Sequence, residues 1–222
     1  MPYFKDILFI HIPKTGGTSL EKYFSKYFNV NLNRESLYGS PNIKIIKSNS
    51  SDNVNRMHRI NRLNLGIEYT LKLSLQHFSL QNIVEHFSLQ YSKIITIVRN
   101  PYDKVISGLF HYKLIKHDST QDRVFDAINV YLNKVNIDNH NKTMFSFLTI
   151  DGVLQTNIII LKTETLKQDL EKNGFPNFNF HENENKTHKD YQLYLNKNSI
   201  NLINTFYDLD FQHFGYTKLY TL

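Results

Sequence analysis

The chain has 222 residues, 41% of them hydrophobic and 14% aromatic, with a formal charge of +6 and no cysteine. That length and apolar content predict one packed domain over residues 1–222 and exclude a disordered chain, while the missing cysteine excludes a disulfide framework or a thiolate metal site. The positive charge suits an anionic ligand, but it is spread along the chain without a basic tail or arginine-rich block, which argues against nucleic acid as a partner.

In chain order, Ile7, Leu8, Phe9, Ile10 and Ile12 form the apolar run of a strand buried in a parallel sheet, and Pro13 stops it. Gly16 and Gly17 permit a turn in which successive N–H groups converge on one ligand. Thr18 and Ser19 open a helix whose apolar residues Leu20, Tyr23, Phe24, Tyr27 and Phe28 recur at helical spacing. A helix N-terminus facing such a turn attracts phosphate or sulfate, and Lys14 adds a full positive charge. In PKTGGTS the lysine precedes the glycines, whereas a Walker loop has it after them, so this is not the standard nucleoside triphosphate loop.

Further on, Ile43 to Ile46 predicts a short second strand, and Met57 to Leu65 a short helix with Arg56, His58, Arg59 and Arg62 on or near it, which fit a solvated surface better than a face towards an acidic acceptor. Thr70 to Gln76 alternates like a strand and delivers His77 at its end, before a helix from Leu80 to Phe87. Ser92 to Val98 is the clearest buried strand of the middle region; it ends in Arg99-Asn100-Pro101, and a helix follows. Helices are expected at Phe125 to Leu132 and Lys142 to Leu148, then a strand at Thr156 to Leu161 leading into a further helix. Asp208-Leu209-Asp210 imitates a metal-binding DxD, but its interleaved apolar neighbours assign it to packing. The expected architecture is α/β: a P-loop-like three-layer fold with a central, mostly parallel sheet flanked by helices. No apolar run approaches the roughly 20 residues that span a bilayer. The expectation is therefore a soluble, cytoplasmic chain with no signal peptide, anchor or stable membrane insertion; no oligomeric state follows from the sequence.

HIPKTGGTS resembles the 5′-phosphosulfate-binding loop of sulfotransferases that use 3′-phosphoadenosine 5′-phosphosulfate (PAPS), most of all the carbohydrate type that includes heparan sulfate 2-O-sulfotransferase. QHFSL at 76–80 is similar to the segment that carries the catalytic histidine in that type, which implies His77 as the base for an acceptor hydroxyl. RNPYDKVISGLFHY resembles the family's 3′-phosphate segment, which implies Arg99 and Ser107 as its ligands. LKTETL is similar to a structural segment near the cofactor, where Glu164 caps or packs. Asn185-Lys186-Thr187 is similar to a loop closing over the nucleotide, which implies Lys186 and Thr187 as further donors unless they belong to a solvated loop.

The resemblance implies PAPS as donor, bound by Lys14, Thr15, Gly16, Gly17, Thr18, Ser19, Arg99 and Ser107, a hydroxyl-bearing acceptor of the carbohydrate class, and no metal. Glu21 and Glu164 stand next in line as base. Two other readings stay open at this stage, a P-loop kinase or NTPase and a non-catalytic module that binds a nucleotide or glycan.

Overall fold

The computed structural model describes residues 3–4, 6–30, 44–45, 75–88, 91–134, 138–179 and 190–220. In chain order, β1 (Tyr3–Phe4) and β2 (Ile7–Ile10) lead into α1 (Gly17–Tyr27), and β3 (Lys44–Ile45) follows. A 3₁₀ turn at Leu75–His77 precedes α2 (Leu80–His86), β4 (Phe87–Ser88), β5 (Lys93–Val98) and α3 (Pro101–His111). Next come α4 (Gln121–Leu132), α5 (Met144–Phe147), β6 (Thr149–Ile150), β7 (Val153–Leu154) and β8 (Ile158–Lys162). The chain closes with α6 (Leu166–Lys172), α7 (Lys197–Phe206) and α8 (Asp208–Phe214).

The main sheet has the order β1-β2-β5-β8. Strands β2, β5 and β8 are parallel, with Leu8 opposite Ile94 and Ile95 opposite Ile159, and β1 caps the β2 edge antiparallel. Side chains alternate between the two faces of a strand, and the core divides accordingly. Leu8, Ile10, Ile94 and Val98 pack with Leu80 and Ile83 of α2, Met144 and Phe147 of α5 and Phe214 of α8. Phe9, Ile95, Ile97 and Leu161 face the other way, onto Leu20, Tyr23 and Phe24 of α1 and Leu166 and Leu170 of α6. The result is the helix–sheet–helix sandwich of a P-loop-like three-layer fold, as the sequence predicts. A third cluster joins α3, α4, α7 and α8 through Tyr102, Val105, Ile128, Tyr131, Ile203 and Phe211.

Three expectations need correction. The strand at Ile43 to Ile46 exists at Lys44–Ile45, but it pairs antiparallel with β4 in a separate two-stranded ribbon. The helix expected over Lys142 to Leu148 shrinks to α5, because Asp151 and Gly152, with φ of +51° and +77°, make the tight turn of a hairpin that takes over from Thr149. Within the expected strand Thr70 to Gln76, the described part beginning at Leu75 is a 3₁₀ turn; residues 70–74 lie outside the described residues, as do the helix expected at 57–65 and Arg56. Among the described residues no helix is long and apolar enough to cross a membrane.

Candidate active site

The chain leaves β2 at His11, turns through Pro13 to Gly16 and enters α1 at Gly17. Two left-handed residues make the turn, Lys14 at φ +67° and Gly16 at φ +91°. Its inside is pinned by hydroxyls: Thr15 Oγ1 donates to Ile12 O at 2.8 Å, and Thr163 Oγ1 lies 2.7 Å from Thr15 O and 3.0 Å from Val98 O. Gly16 is the N-cap of α1 and brings no side chain to the helix end. The first-turn N–H groups therefore look to a ligand, with the positive end of the helix dipole behind them. Ser19 is the exception, since its N–H donates to Gly16 O at 3.1 Å.

Lys14 and Arg99, predicted for opposite ends of the donor, meet here. Arg99 Nη1 donates to Lys14 O at 3.0 Å, and Arg99 Nε to Asp103 at 2.7 Å. Burial and the neighbouring Arg99 charge bring the Lys14 ammonium down from 10.5 to about 8. Two cations held close, one of them also paired with Asp103, make this turn a candidate anion site. Ser107 is half-buried in the second turn of α3. Lys186 and Thr187 lie outside the described residues. Glu164 accepts from Asn100 N at 2.7 Å and from the Tyr216 hydroxyl at 2.9 Å, so it has the capping role expected of it.

His77 is not at the end of a strand, yet it reaches the carboxyl edge of the sheet from the side. Its ring meets that of His11, the first residue beyond β2, edge-on at 5.0 Å between centroids. The Nδ1 of His77 lies 2.8 Å from Asp138 Oδ2. A carboxylate only accepts, so this contact holds the proton on Nδ1 and leaves the Nε2 lone pair as the basic site. Burial, with the His11 charge adding to it, lowers the His77 pKa from 6.5, although the Asp138 contact opposes the shift. The imidazole is therefore neutral and able to accept a proton at pH 7.

The turn that supplies Asp138 is itself tied down. Asp138 and Asn139 are left-handed, which Asp and Asn tolerate better than most residues, and Asn139 Nδ2 donates to His77 O at 3.0 Å. Beneath it, the fully buried Lys104 of α3 donates to His140 O at 2.9 Å and Lys142 O at 3.0 Å.

None of His11, Gln76, Asp138 and Lys104 stands out as functional in the sequence, although a histidine inside the apolar run ILFIHI is a detectable irregularity. Glu21, a reserve base, is ruled out by its surroundings: it is buried, and its carboxylate is taken up by His11 and Gln76. Asp210 of the DLD segment accepts from the N–H groups of Met144 and Phe145 at 2.8 and 2.7 Å and so caps α5, a packing role as expected. Among the described residues, His77, Asp138 and His140 each bring one ligand-capable atom within 4.8 Å of the others. Ligands on one zinc ion sit roughly 3.3 Å apart. The 2.8 Å between His77 and Asp138 is instead a hydrogen bond.

A family model described as the sulfotransferase domain matches residues 4–210, and so spans the Lys14 turn, His77 and Arg99. The chain belongs to the sulfotransferase domain family. Comparison with curated proteins and with solved structures finds no significant match. Sulfuryl transfer to a hydroxyl-bearing acceptor is thus the class of reaction, and the site of this sulfotransferase domain can be read against it.

Proposed function

We propose that the chain transfers the sulfuryl group of PAPS to a hydroxyl on a carbohydrate, as heparan sulfate 2-O-sulfotransferase-like enzymes do. The observation that carries this reading is the oriented His77–Asp138 pair beside a loop built for an anion. Lys14 and the N–H groups at the start of α1, with the backbone of Thr15 to Ser19 around them, hold the 5′-phosphosulfate. Arg99 and Ser107 hold the 3′-phosphate, with Lys186 and Thr187 as further donors to it.

In the reaction, Nε2 of His77 takes the proton of the acceptor hydroxyl while its oxygen forms a bond to sulfur. The bond from sulfur to the bridging phosphate oxygen breaks on the opposite side. Lys14 and the helix end stabilise the negative charge that builds on the departing 3′-phosphoadenosine 5′-phosphate. Asp138 stabilises the imidazolium that forms, and the proton leaves His77 for solvent after the sulfated product departs. The chemistry needs no metal, because the charges it creates are all met by side chains and backbone donors.

Calorimetric titration in EDTA with 3′-phosphoadenosine 5′-phosphate, beside ADP and ATP, tests the donor. Binding of the bisphosphate with a large loss for ADP is the expected result, and an acceptor screen with PAPS then follows with turnover unaffected by EDTA. Preference for ATP with a strict Mg²⁺ requirement would replace this reading by a kinase. No nucleotide binding at all would leave a non-catalytic module.

A further inference from the structure

Glu21 presents an energetic puzzle. It lies on the face of α1 that buries Leu20, Tyr23 and Phe24, and only 4% of its surface is exposed. A buried carboxylate is no more stabilising than an apolar side chain of similar size, even when it is fully paired. This one is paired on both oxygens. His11 Nδ1 lies 2.5 Å from Oε1, and Gln76 Nε2 lies 2.9 Å from Oε1 and 2.8 Å from Oε2. Burial opposes its ionisation, but the His11 and Gln76 contacts outweigh that and hold its pKa below the usual value. Covered in this way, it cannot touch donor or acceptor.

What the carboxylate grips gives it a role. One partner, Gln76, is the residue immediately before His77. The other, His11, is wedged between the two halves of the site: a Cβ on Gly17 would lie 2.4 Å from its Cδ2 and Nε2, and its ring meets His77 edge-on at 5.0 Å. The end of β2, the first turns of α1 and the 3₁₀ turn bearing His77 thus converge on one buried carboxylate. We propose that Glu21, acting through His11 and Gln76, is a positioning residue that sets His77 against the donor loop. In-line transfer depends on that spacing, since a displacement of about 1 Å can cost roughly a hundredfold in rate. This inference rests on the reading of His77 as the base.

The test uses PAPS in water, where release of sulfate reports sulfuryl transfer without a known acceptor. Gln76→Met and Glu21→Gln are each expected to lower the rate at saturating donor at least about tenfold. The KM for donor and the Kd for 3′-phosphoadenosine 5′-phosphate should stay within about twofold. The exchanged pair, Glu21→Gln with Gln76→Glu, restores an amide facing a carboxylate and should recover most of the rate. Gln76 is half-buried, so Gln76→Met keeps the test open if Glu21→Gln does not fold. A folded Gln76→Met protein releasing sulfate within about twofold of the wild-type rate, or a loss appearing only in donor affinity, overturns the inference. His77→Asn separates the two levels: if it, or the wild-type chain compared with buffer alone, gives no change in sulfate release, the base reading itself fails. If His77→Asn is inactive and Gln76→Met is not, the positioning role alone is lost.

Discussion

Asp138 and His77, from turns far apart in the chain, meet at 2.8 Å through Oδ2 and Nδ1. A side chain that orients an imidazole from behind leaves its other nitrogen free to work in front. Removing the base should cost about 10² to 10⁴ in rate, so His77→Ala is expected to lose nearly all turnover and keep its affinity for 3′-phosphoadenosine 5′-phosphate. Asp138→Asn should lower turnover at least about tenfold, because an amide can donate to Nδ1 and favour the unreactive tautomer. Steady-state rates and calorimetry on the same preparations check both.

The pH dependence follows from the direction of the His77 shift. Its pKa in the folded chain is lowered from 6.5, first by burial. The base must be neutral, so turnover should rise with pH through a limb lying below 6.5 and be level at pH 7. Folding is linked with the same sign: as pH falls below 6.5 the unfolded chain binds this proton before the folded one does, and stability declines towards the folded pKa. Denaturant midpoints between pH 7 and pH 5 should fall less for His77→Asn than for the wild-type chain.

Lys14 should control the other side of the profile. Its ammonium, lowered to about 8 by burial and by Arg99, is charged below that pH and loses its proton above it. Affinity for 3′-phosphoadenosine 5′-phosphate is therefore expected to weaken from pH 8 upwards, with proton uptake on binding near that pH. Lys14→Ala should bind less tightly throughout and remove the uptake. Calorimetry in two buffers of different ionisation enthalpy measures it.

Gly17 is held to glycine by contact with the His11 ring. The methyl group of Gly17→Ala would lie 2.4 Å from the His11 ring, which Glu21 fixes from the far side. Overpacking of this kind costs about 1–3 kcal/mol. Thermal unfolding should show that loss, and bisphosphate affinity should fall with it as the donor loop is pushed outward.

Between α8 and α5, Asp210→Asn should destabilise the chain by about 1–3 kcal/mol, since an amide oxygen replaces only one of the two acceptors used by Met144 and Phe145. Nucleotide binding should be retained in the folded variant. A metal requirement abolished by this change would instead revive the DxD reading.

The buried strands β2 and β5, the partly exposed β8 and the turn after β2 were legible because each is marked locally: apolar runs such as Ile94 to Val98, and Gly16-Gly17 between a strand and a helix. The Asp-Gly of the β6–β7 turn was equally local, and its effect was to shorten the helix expected before it. His77 could be picked out by its neighbours in sequence, but the strand assigned to it rested on alternation alone, and the described part is a 3₁₀ turn.

Sequence by itself determined the fold class and the glycine turn between β2 and α1, because period and turn chemistry are properties of contiguous residues. Only the tertiary structure decided what surrounds His77. Asp138 reaches His77, Glu21 joins His11 to Gln76, and Lys104 holds the carbonyls of the Asp138 turn across distances that no spacing rule encodes. Such contacts depend on how α1, α3 and two irregular turns pack around the carboxyl edge of the sheet, and a buried polar group reveals its purpose only when its partners are in place.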